Sequence, residues 1–317
     1  MKVGYFLATE EFTPAELLAQ ARAAEKAGFQ GLWISDHYHP WSAEQGQSPF
    51  VWTVLGALAE ATSDLRITTA VTCPTVRIHP AVVAQAAATT AVMLEGRFLF
   101  GVGSGEALNE HILGDRWPIA DVRLEMLEEA IELIRRLWSG ETVSHEGRHY
   151  RVEHAQLYTL PETPPPILVS GFGPKAAELA GRIGDGYCIT MPDAELISRY
   201  RSAGGADKLV QAGLKVCYGS DESEARKTVR RLWPNEALPG ELAQVLPTPE
   251  HFEQATELVT EEMLGDAVPC GPDLERHVEA IQGYADAGAD ELYIHQIGGG
   301  HERFFDVYAR EIIPRFA

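Results

Sequence analysis

Cysteine is scarce in this chain, and its spacing fits neither a disulfide framework nor a zinc site. The four cysteines lie far apart in 317 residues and form no C-x-x-C pair: Cys73, Cys188, Cys217 and Cys270. The histidines show no metal-ligand spacing either. We therefore predict reduced thiols and no metal site.

Long apolar runs and a secretory leader are also missing. No run approaches the roughly 20 residues that a transmembrane helix needs. The first residues, MKVGYFLATEEF, contain no basic segment followed by an apolar core, which is the pattern of a secretory signal. We expect a cytoplasmic protein that does not contact the membrane.

Basic residues are few relative to acidic ones. The chain has 26 Lys and Arg against 46 Asp and Glu, for a formal net charge of −20. Such a surface repels nucleic acid and anionic lipid, so neither is an expected partner. An anionic ligand must instead be held by local donors.

Short apolar, β-rich runs alternate with longer segments of helical periodicity. The eight runs are VGYFLA (3–8), GLWIS (31–35), RITTAV (66–71), FLFGVG (98–103), PILVSG (166–171), GYCIT (186–190), KVCYGS (215–220) and ELYIHQ (291–296). Nearly continuous apolar strands, with helices that end in Gly, are typical of parallel βαβ units. The pattern predicts one (β/α)8 TIM barrel over 1–317, with insertions at about 104–165 and 221–290. A doubly wound sheet is the alternative.

Reactive side chains follow several of these strands, where a TIM barrel places its active site. Asp36 and His37 follow the second strand, and Glu106 follows the fourth. A histidine beside a carboxylate can move a proton near neutral pH. The alternatives are structural: His37 only caps the end of its strand, and Glu106 only complements a helix dipole.

The segment after the fifth strand, VSGFGPKAAELAG, has the features of an anion site. Gly173 precedes Pro174, which is favoured at the first position of a helix, and Lys175 adds a positive charge. An ordinary βα turn is the alternative. Arg77 is a possible second anion contact. The three alternating glycines Gly101, Gly103 and Gly105 lack the G-x-G-x-x-G spacing of a dinucleotide fingerprint.

Several of these motifs together resemble one known family. SDHYHPW, GVGSGEALNE, AGRIGDGY, ADELYIHQ and FFDVYAREIIPRF are similar to segments of the luciferase-like superfamily, in the branch of F420-dependent glucose-6-phosphate dehydrogenases. The resemblance implies a (β/α)8 barrel, a homodimer, and coenzyme F420 in the barrel mouth. An FMN-dependent monooxygenase or reductase and a noncatalytic ligand-binding barrel are the alternatives.

The resemblance also assigns roles to residues. It makes His37, Trp41 and Glu106 the catalytic set, and it places Asp36 against the deazaflavin ring. It assigns the other cofactor contacts to Ala70, Val71, Cys73, Asn109, Gly173, Pro174 and Lys175. The Ala70–Val71 bond matches a cis non-proline peptide of the family.

One departure from the family pattern concerns the substrate. Thr190 matches a substrate-side position, but Asp193 and Gln254 occur where the resemblance implies lysines in the sugar-phosphate members. An acid repels a phosphate dianion. We therefore expect hydride transfer between the cofactor C5 and a hydroxylated substrate (sugar, sugar phosphate or alcohol), with glucose 6-phosphate a poor one. The direction of reaction stays open.

Overall fold

A closed parallel barrel forms the centre of the computed structural model, which describes residues 1–265 and 267–316. Within these residues eight strands close the barrel in the order β1-β10-β9-β8-β7-β4-β3-β2. The barrel strands are β1 Lys2–Leu7, β2 Gly31–Ile34, β3 Arg66–Thr69, β4 Phe98–Val102, β7 Ile167–Ser170, β8 Gly186–Ile189, β9 Leu209–Val216 and β10 Glu291–Gln296. The predicted (β/α)8 barrel is therefore confirmed.

Helices surround the barrel. In the described residues they outnumber the eight helices of a minimal (β/α)8 fold. They are α1 Pro14–Lys26, α2 Val51–Ala61, α3 Pro80–Met93, α4 Ala107–Glu110, α5 Ala120–Leu137, α6 Pro174–Ile183, α7 Ala194–Tyr200, α8 Glu222–Leu232, α9 Leu242–Val245, α10 Pro249–Ala255, α11 Glu261–Gly265, α12 Leu274–Ala287 and α13 His301–Val307. In the part of the chain that the structure describes, none of them has the length and apolar character needed to cross a membrane.

Two strand assignments differ from the sequence prediction. The seventh barrel strand, β9, begins six residues before the predicted run 215–220, because its inward face carries Gln211 and Gly213 and so does not read as apolar. The first insertion contains an antiparallel hairpin that was not predicted, β5 Val143–Glu146 and β6 Arg151–Ala155. Most of its side chains are exposed or half-buried, so it lacks an apolar signal.

A layer of large buried side chains closes the N-terminal end of the barrel. Trp33 stacks on Tyr293 with ring centroids 5.0 Å apart. The Trp33 indole donates to Gln211 Oε1 at 2.7 Å, and Gln211 Nε2 donates to Glu291 Oε2 at 2.9 Å. Glu291 also pairs with Arg66. This floor leaves the C-terminal mouth as the open end.

The second insertion packs over one side of that mouth. The Trp41 ring, from the loop after β2, lies 5.0 Å from the ring of Phe252 on α10. Gln45 of the same loop donates to the Leu232 carbonyl at 2.9 Å. The inserted helices α8 to α10 therefore help to build the wall of the mouth beside the β2 loop.

Candidate active site

His37 lies between two carboxylates at the mouth of the barrel. Its Nε2 atom is 3.4 Å from Glu10 Oε1 and 3.7 Å from Glu106 Oε2. The three residues follow β1, β2 and β4, whose C-terminal ends converge in a parallel barrel. The structure thus brings together the two predicted proton-transfer groups, and it adds Glu10 to them.

The hydrogen bond of the other ring nitrogen indicates which nitrogen of His37 is basic. Nδ1 lies 3.1 Å from the backbone carbonyl oxygen of His39. A carbonyl oxygen can only accept, so Nδ1 carries the proton in the neutral ring. Nε2 then has the free lone pair, and it faces Glu10 and Glu106. The imidazole is therefore oriented as a base toward the mouth.

The two carboxylates have different environments. Burial disfavours the charge of Glu10, but His37 and the Ser35 hydroxyl outweigh it and lower the pKa of Glu10. Ser35 Oγ donates to Glu10 Oε2 at 2.6 Å. Burial raises the pKa of Glu106, with nearby Glu10 adding to the rise and His37 opposing it. Two carboxyl groups whose pKa values move in opposite directions are suited to opposite roles: Glu10 stays ionised, and Glu106 holds a proton more readily.

Asn109 fixes the geometry of this set. Its Oδ1 accepts the backbone N–H groups of Tyr38 at 2.8 Å and His39 at 3.1 Å. Its Nδ2 donates to Glu106 Oε2 at 3.1 Å. One buried amide thus ties the loop that carries His37 to the turn that carries Glu106. The contacts support a structural role for Asn109 beside the cofactor role that the family resemblance implies.

Trp41 and His39 are placed differently around His37. The Trp41 ring centroid is 5.0 Å from that of His37. His39 points away, and its Nδ1 lies 2.9 Å from the Leu108 carbonyl oxygen. Trp41 therefore borders the reacting nitrogen, whereas His39 holds the loop in place.

Asp36 is buried rather than open to the mouth. Its Oδ2 accepts from Thr72 Oγ1 and its Oδ1 from Arg77, both at 2.8 Å. Arg77 also lies 3.5 Å from Glu110 Oε1, and its side chain is 5 % exposed. The interpretation of Arg77 as an anion contact is wrong, because the buried side chains of Asp36 and Glu110 already occupy it. The ring contact of Asp36 stays a prediction.

Burial raises the pKa of Glu110 to about 7, against the opposing charge of Arg77. The folded protein therefore keeps this proton up to about pH 7, whereas the unfolded chain loses it near the ordinary value of 4.5. The folded state binds more protons in this window, so the free energy of unfolding falls as pH rises through it.

Glu110→Gln should remove this pH dependence. The variant should gain about 2 kcal/mol of stability relative to the parent between pH 5 and pH 8. Urea denaturation at the two pH values measures the difference, with Glu128→Gln on the exposed face of α5 as the control. A stability difference that does not change with pH would contradict the expectation.

Backbone features at the ends of β3 and β4 shape the neighbouring wall. The Ala70–Val71 peptide is cis, as predicted. A Cβ on Gly101 would lie 1.8 Å from the Thr69 carbonyl oxygen, and one on Gly103 would lie 2.8 Å from Val71 Cγ2. These glycines are required by the close approach of the two strands.

Cys73 is buried behind the same wall. Its Sγ atom lies 3.0 Å from Thr75 Oγ1. A Cβ on Gly105, which has φ of +78°, would come within 2.5 Å of that sulfur. Burial raises the pKa of the Cys73 thiol well above its usual value, so it stays protonated. The residue fills space beside the cis peptide.

The expected anion site is the N-terminus of α6. No side chain caps this helix: Gly173 is its N-cap residue and Pro174 its first residue. A Cβ on Gly173 would meet no atom within 4 Å, so the approach is open. The exposed Lys175 ammonium contacts Asp121 at 2.8 Å. The uncapped N–H groups fit a phosphate, and Lys175 supplies its charge only in competition with Asp121.

The substrate residues expected from the family pattern lie on two elements. Thr190 is exposed directly after β8, and its carbonyl accepts from Tyr284 at 3.0 Å. Asp193 caps α7 by accepting from the Leu196 N–H at 2.9 Å. Gln254 is exposed on α10. The structure gives Asp193 a capping role, and the substrate roles of all three stay predictions.

Sequence reasoning missed three polar groups that face the mouth. Glu10 follows β1, so the strand-end rule could have found it. Lys215 and His295 are the last inward-facing residues of β9 and β10, in paired register. His295 is fully buried, with Nε2 3.4 Å from Glu11 Oε2. The alternation of side chains along a strand is the signal for both, once the strand bounds are known.

The fold and this proton-handling set define an enzyme of the TIM-barrel type. The chain belongs to the luciferase-like monooxygenase family, whose model matches residues 1–291.

Curated relatives extend the match along the whole chain. The chain is 37% identical to the F420-dependent glucose-6-phosphate dehydrogenase of Segniliparus rotundus, over 99% of this chain and 98% of that protein. It is 38% identical to the enzyme of the same name from Microbacterium testaceum, over 99% of this chain and 97% of that protein.

Solved structures give the same picture. An F420-dependent secondary alcohol dehydrogenase in complex with an F420-acetone adduct superposes with a TM-score of 0.93 at 29% identity, covering 100% of this chain and 99% of that one. The coenzyme F420 dependent tetrahydromethanopterin reductase from Methanopyrus kandleri shares the fold, with a TM-score of 0.80 at 20% identity and full coverage of both chains.

Proposed function

We propose that this chain is an F420-dependent oxidoreductase that transfers a hydride between the deazaflavin C5 and the carbinol carbon of a hydroxylated substrate. The observation that carries the proposal is the basic Nε2 of His37, held between Glu10 and Glu106 at the barrel mouth. The F420-dependent dehydrogenases among the relatives support the same chemistry.

The residues around the mouth fit such a cofactor. In this proposal the cis Ala70–Val71 peptide and Asn109 lie on the ring side of the site, and the uncapped start of α6 holds a phosphate. When bound, F420 accepts or returns the hydride at C5. We assign the ring contacts to these residues and the phosphate contacts to Gly173, Pro174 and Lys175.

The side chains at the barrel mouth have separate roles in proton transfer. In the oxidation direction His37 Nε2 takes the proton of the substrate hydroxyl. Ionised Glu10 stabilises the imidazolium that forms, because the two atoms are 3.4 Å apart. Glu106 holds or donates a proton on the cofactor side, which its raised pKa favours. Trp41 packs beside His37 and excludes water from it.

F420 should bind at least about tenfold more tightly than FMN, a difference of about 1.4 kcal/mol. The start of α6 suits the phosphate of either cofactor, so the expected preference rests on the similarity to F420-dependent relatives. Fluorescence titration of the purified protein with each cofactor measures both dissociation constants. Equal or tighter FMN binding would replace the deazaflavin assignment with the flavin alternative.

Lys175→Glu provides an internal test of the phosphate assignment. It places a second negative charge beside Asp121, so F420 affinity should fall. Lys227→Glu on α8 makes the same change in another exposed pair, 2.8 Å from Glu224, and should leave the affinity unchanged. If both variants bind F420 like the parent, the phosphate lies elsewhere.

The same proposal extends to the state of the protein in the cell. We infer a single barrel domain over 1–317 and a homodimer, as the family resemblance implies, and a cytoplasmic location. Thr190, Asp193 and Gln254 are the proposed substrate-side residues. The substrate is a small hydroxylated molecule.

A further inference from the structure

Lys215 is a cation on the inward face of the barrel that the proposed hydride transfer does not use. Along β9 the inward residues are Gln211, Gly213 and Lys215: Gln211 bonds to Trp33 in the floor, and a Cβ on Gly213 would lie 2.6 Å from the Trp33 ring. Side chains alternate along a strand, so Lys215 points into the barrel one layer above them, at the mouth.

Two residues of the second insertion hold this cation in place. Lys215 Nζ is 2.9 Å from Glu236 Oε1 and 4.7 Å from the centroid of the Trp233 ring. The Trp233 indole in turn donates to Glu11 Oε2 at 2.7 Å. The Lys215 side chain is 15 % exposed and that of Glu236 27 % exposed, so both groups keep access to the mouth. The pair is therefore ordered and still reachable.

The charges of the pair act on Glu106 on one side and on Tyr284, which contacts the loop after β8, on the other. Burial raises the pKa of Glu106, and the charge of Lys215 is among the groups that oppose this rise. Burial also raises the pKa of Tyr284, with Glu236 adding to it. Tyr284 donates to the carbonyl of Thr190. The charge of Lys215 thus favours the ionised form of Glu106. The charge of Glu236 disfavours ionisation of Tyr284, which is hydrogen-bonded to the loop after β8.

We propose that Lys215 and Glu236 form a subsite that binds a second hydroxyl group of an uncharged, polyhydroxylated substrate. The inference rests on the proposed function, since it specifies which substrates that site accepts. A hydroxyl both donates and accepts, so it can bind to the carboxylate and the ammonium together. A phosphate dianion would face the carboxylate of Glu236 as well as the ammonium, and the neutralised pair offers it no net attraction.

Phosphate binding tests the charge balance without any turnover. Calorimetric titration of inorganic phosphate into Glu236→Gln should give an affinity at least about tenfold higher than in the parent, because Lys215 is then unpaired. Glu236→Gln combined with Lys215→Met should lose this gain. The matched control is Glu224→Gln, which unpairs the exposed Lys227 and should leave phosphate affinity at the parent level.

Kinetics with F420 test the substrate class. Lys215→Met keeps the aliphatic stem over Trp233 and should lower kcat/KM for glucose and glycerol, relative to 2-propanol, by about 10- to 100-fold, the value of one hydrogen bond to a charged group. 2-Propanol has no second hydroxyl, so its kcat/KM is the internal reference. F420 affinity close to that of the parent shows that the variant is folded.

The outcomes separate the subsite from the proposed function. If Glu236→Gln gains no phosphate affinity, or if its gain survives Lys215→Met, the subsite is overturned. An unchanged ratio of glucose to 2-propanol kcat/KM in Lys215→Met also overturns it. A parent enzyme that oxidises no member of an alcohol and sugar panel with F420 counts against the proposed function instead, and the phosphate titration still decides the subsite.

Discussion

His37→Ala should lower turnover by about a hundredfold or more, the usual contribution of a positioned acid or base. Nε2 is the basic nitrogen that faces Glu10 and Glu106, and no other imidazole in the described part of the chain is placed between these carboxylates. F420 affinity should stay near that of the parent, because the proposed mechanism places the ring of His37 on the substrate side. Steady-state kinetics and an F420 titration measure the two quantities separately.

His39→Ala is the matched control for this variant. It is a histidine of the same loop, but its Nδ1 contacts the Leu108 carbonyl and not the mouth. Its loss should affect stability more than turnover. If His39→Ala is the more damaging of the two for kcat, the assignment of the base to His37 is wrong.

Asp36→Asn should destabilise the fold by about 3 kcal/mol, within the range for breaking a buried ion pair. Asp36 is fully buried and accepts from both Thr72 and Arg77. The amide has the same shape but no charge. The buried Arg77 guanidinium therefore loses an ionised partner. The same loss should weaken F420 binding more than His37→Ala does, because this cluster supports the strand ends that we propose border the ring.

Urea denaturation and F420 titration check both parts of this expectation. Glu195→Gln makes the same chemical change in an exposed pair, 2.9 Å from Arg199 and on one helix, and should have little effect. Equal stability of Asp36→Asn and the parent would show that the buried pair contributes nothing net. Stability lost with F420 affinity intact would confine Asp36 to a structural role.

The sequence predicts the barrel because most of its strands are short, β-rich runs that are buried in the fold, and helical segments separate them. The seventh strand was placed too late, because Gln211 and Gly213 interrupt its apolar pattern where the floor needs a polar group and a gap for Trp33. No local rule predicts that requirement, which comes from the opposite side of the barrel.

Some residues of the site can likewise be predicted from local position in the sequence, and others cannot. His37 and Glu106 follow from their positions after strands, and the same rule applied to β1 would have included Glu10. The partners of Asp36 are different, because Arg77 is 41 residues away in the chain and reaches it only through the tertiary fold. The interpretation of Arg77 as an anion contact failed for that reason: its charge is visible in the sequence, but its partners are not.

The floor of stacked Trp33 and Tyr293 has a consequence for the order of events in a catalytic cycle. A barrel sealed at one end has a single entrance, so cofactor and substrate must arrive and depart by the same route. Whichever reactant lies deeper must enter first and leave last. Closure at the N-terminal end of the barrel, far from the reacting atoms, therefore fixes the order in which cofactor and substrate bind and leave.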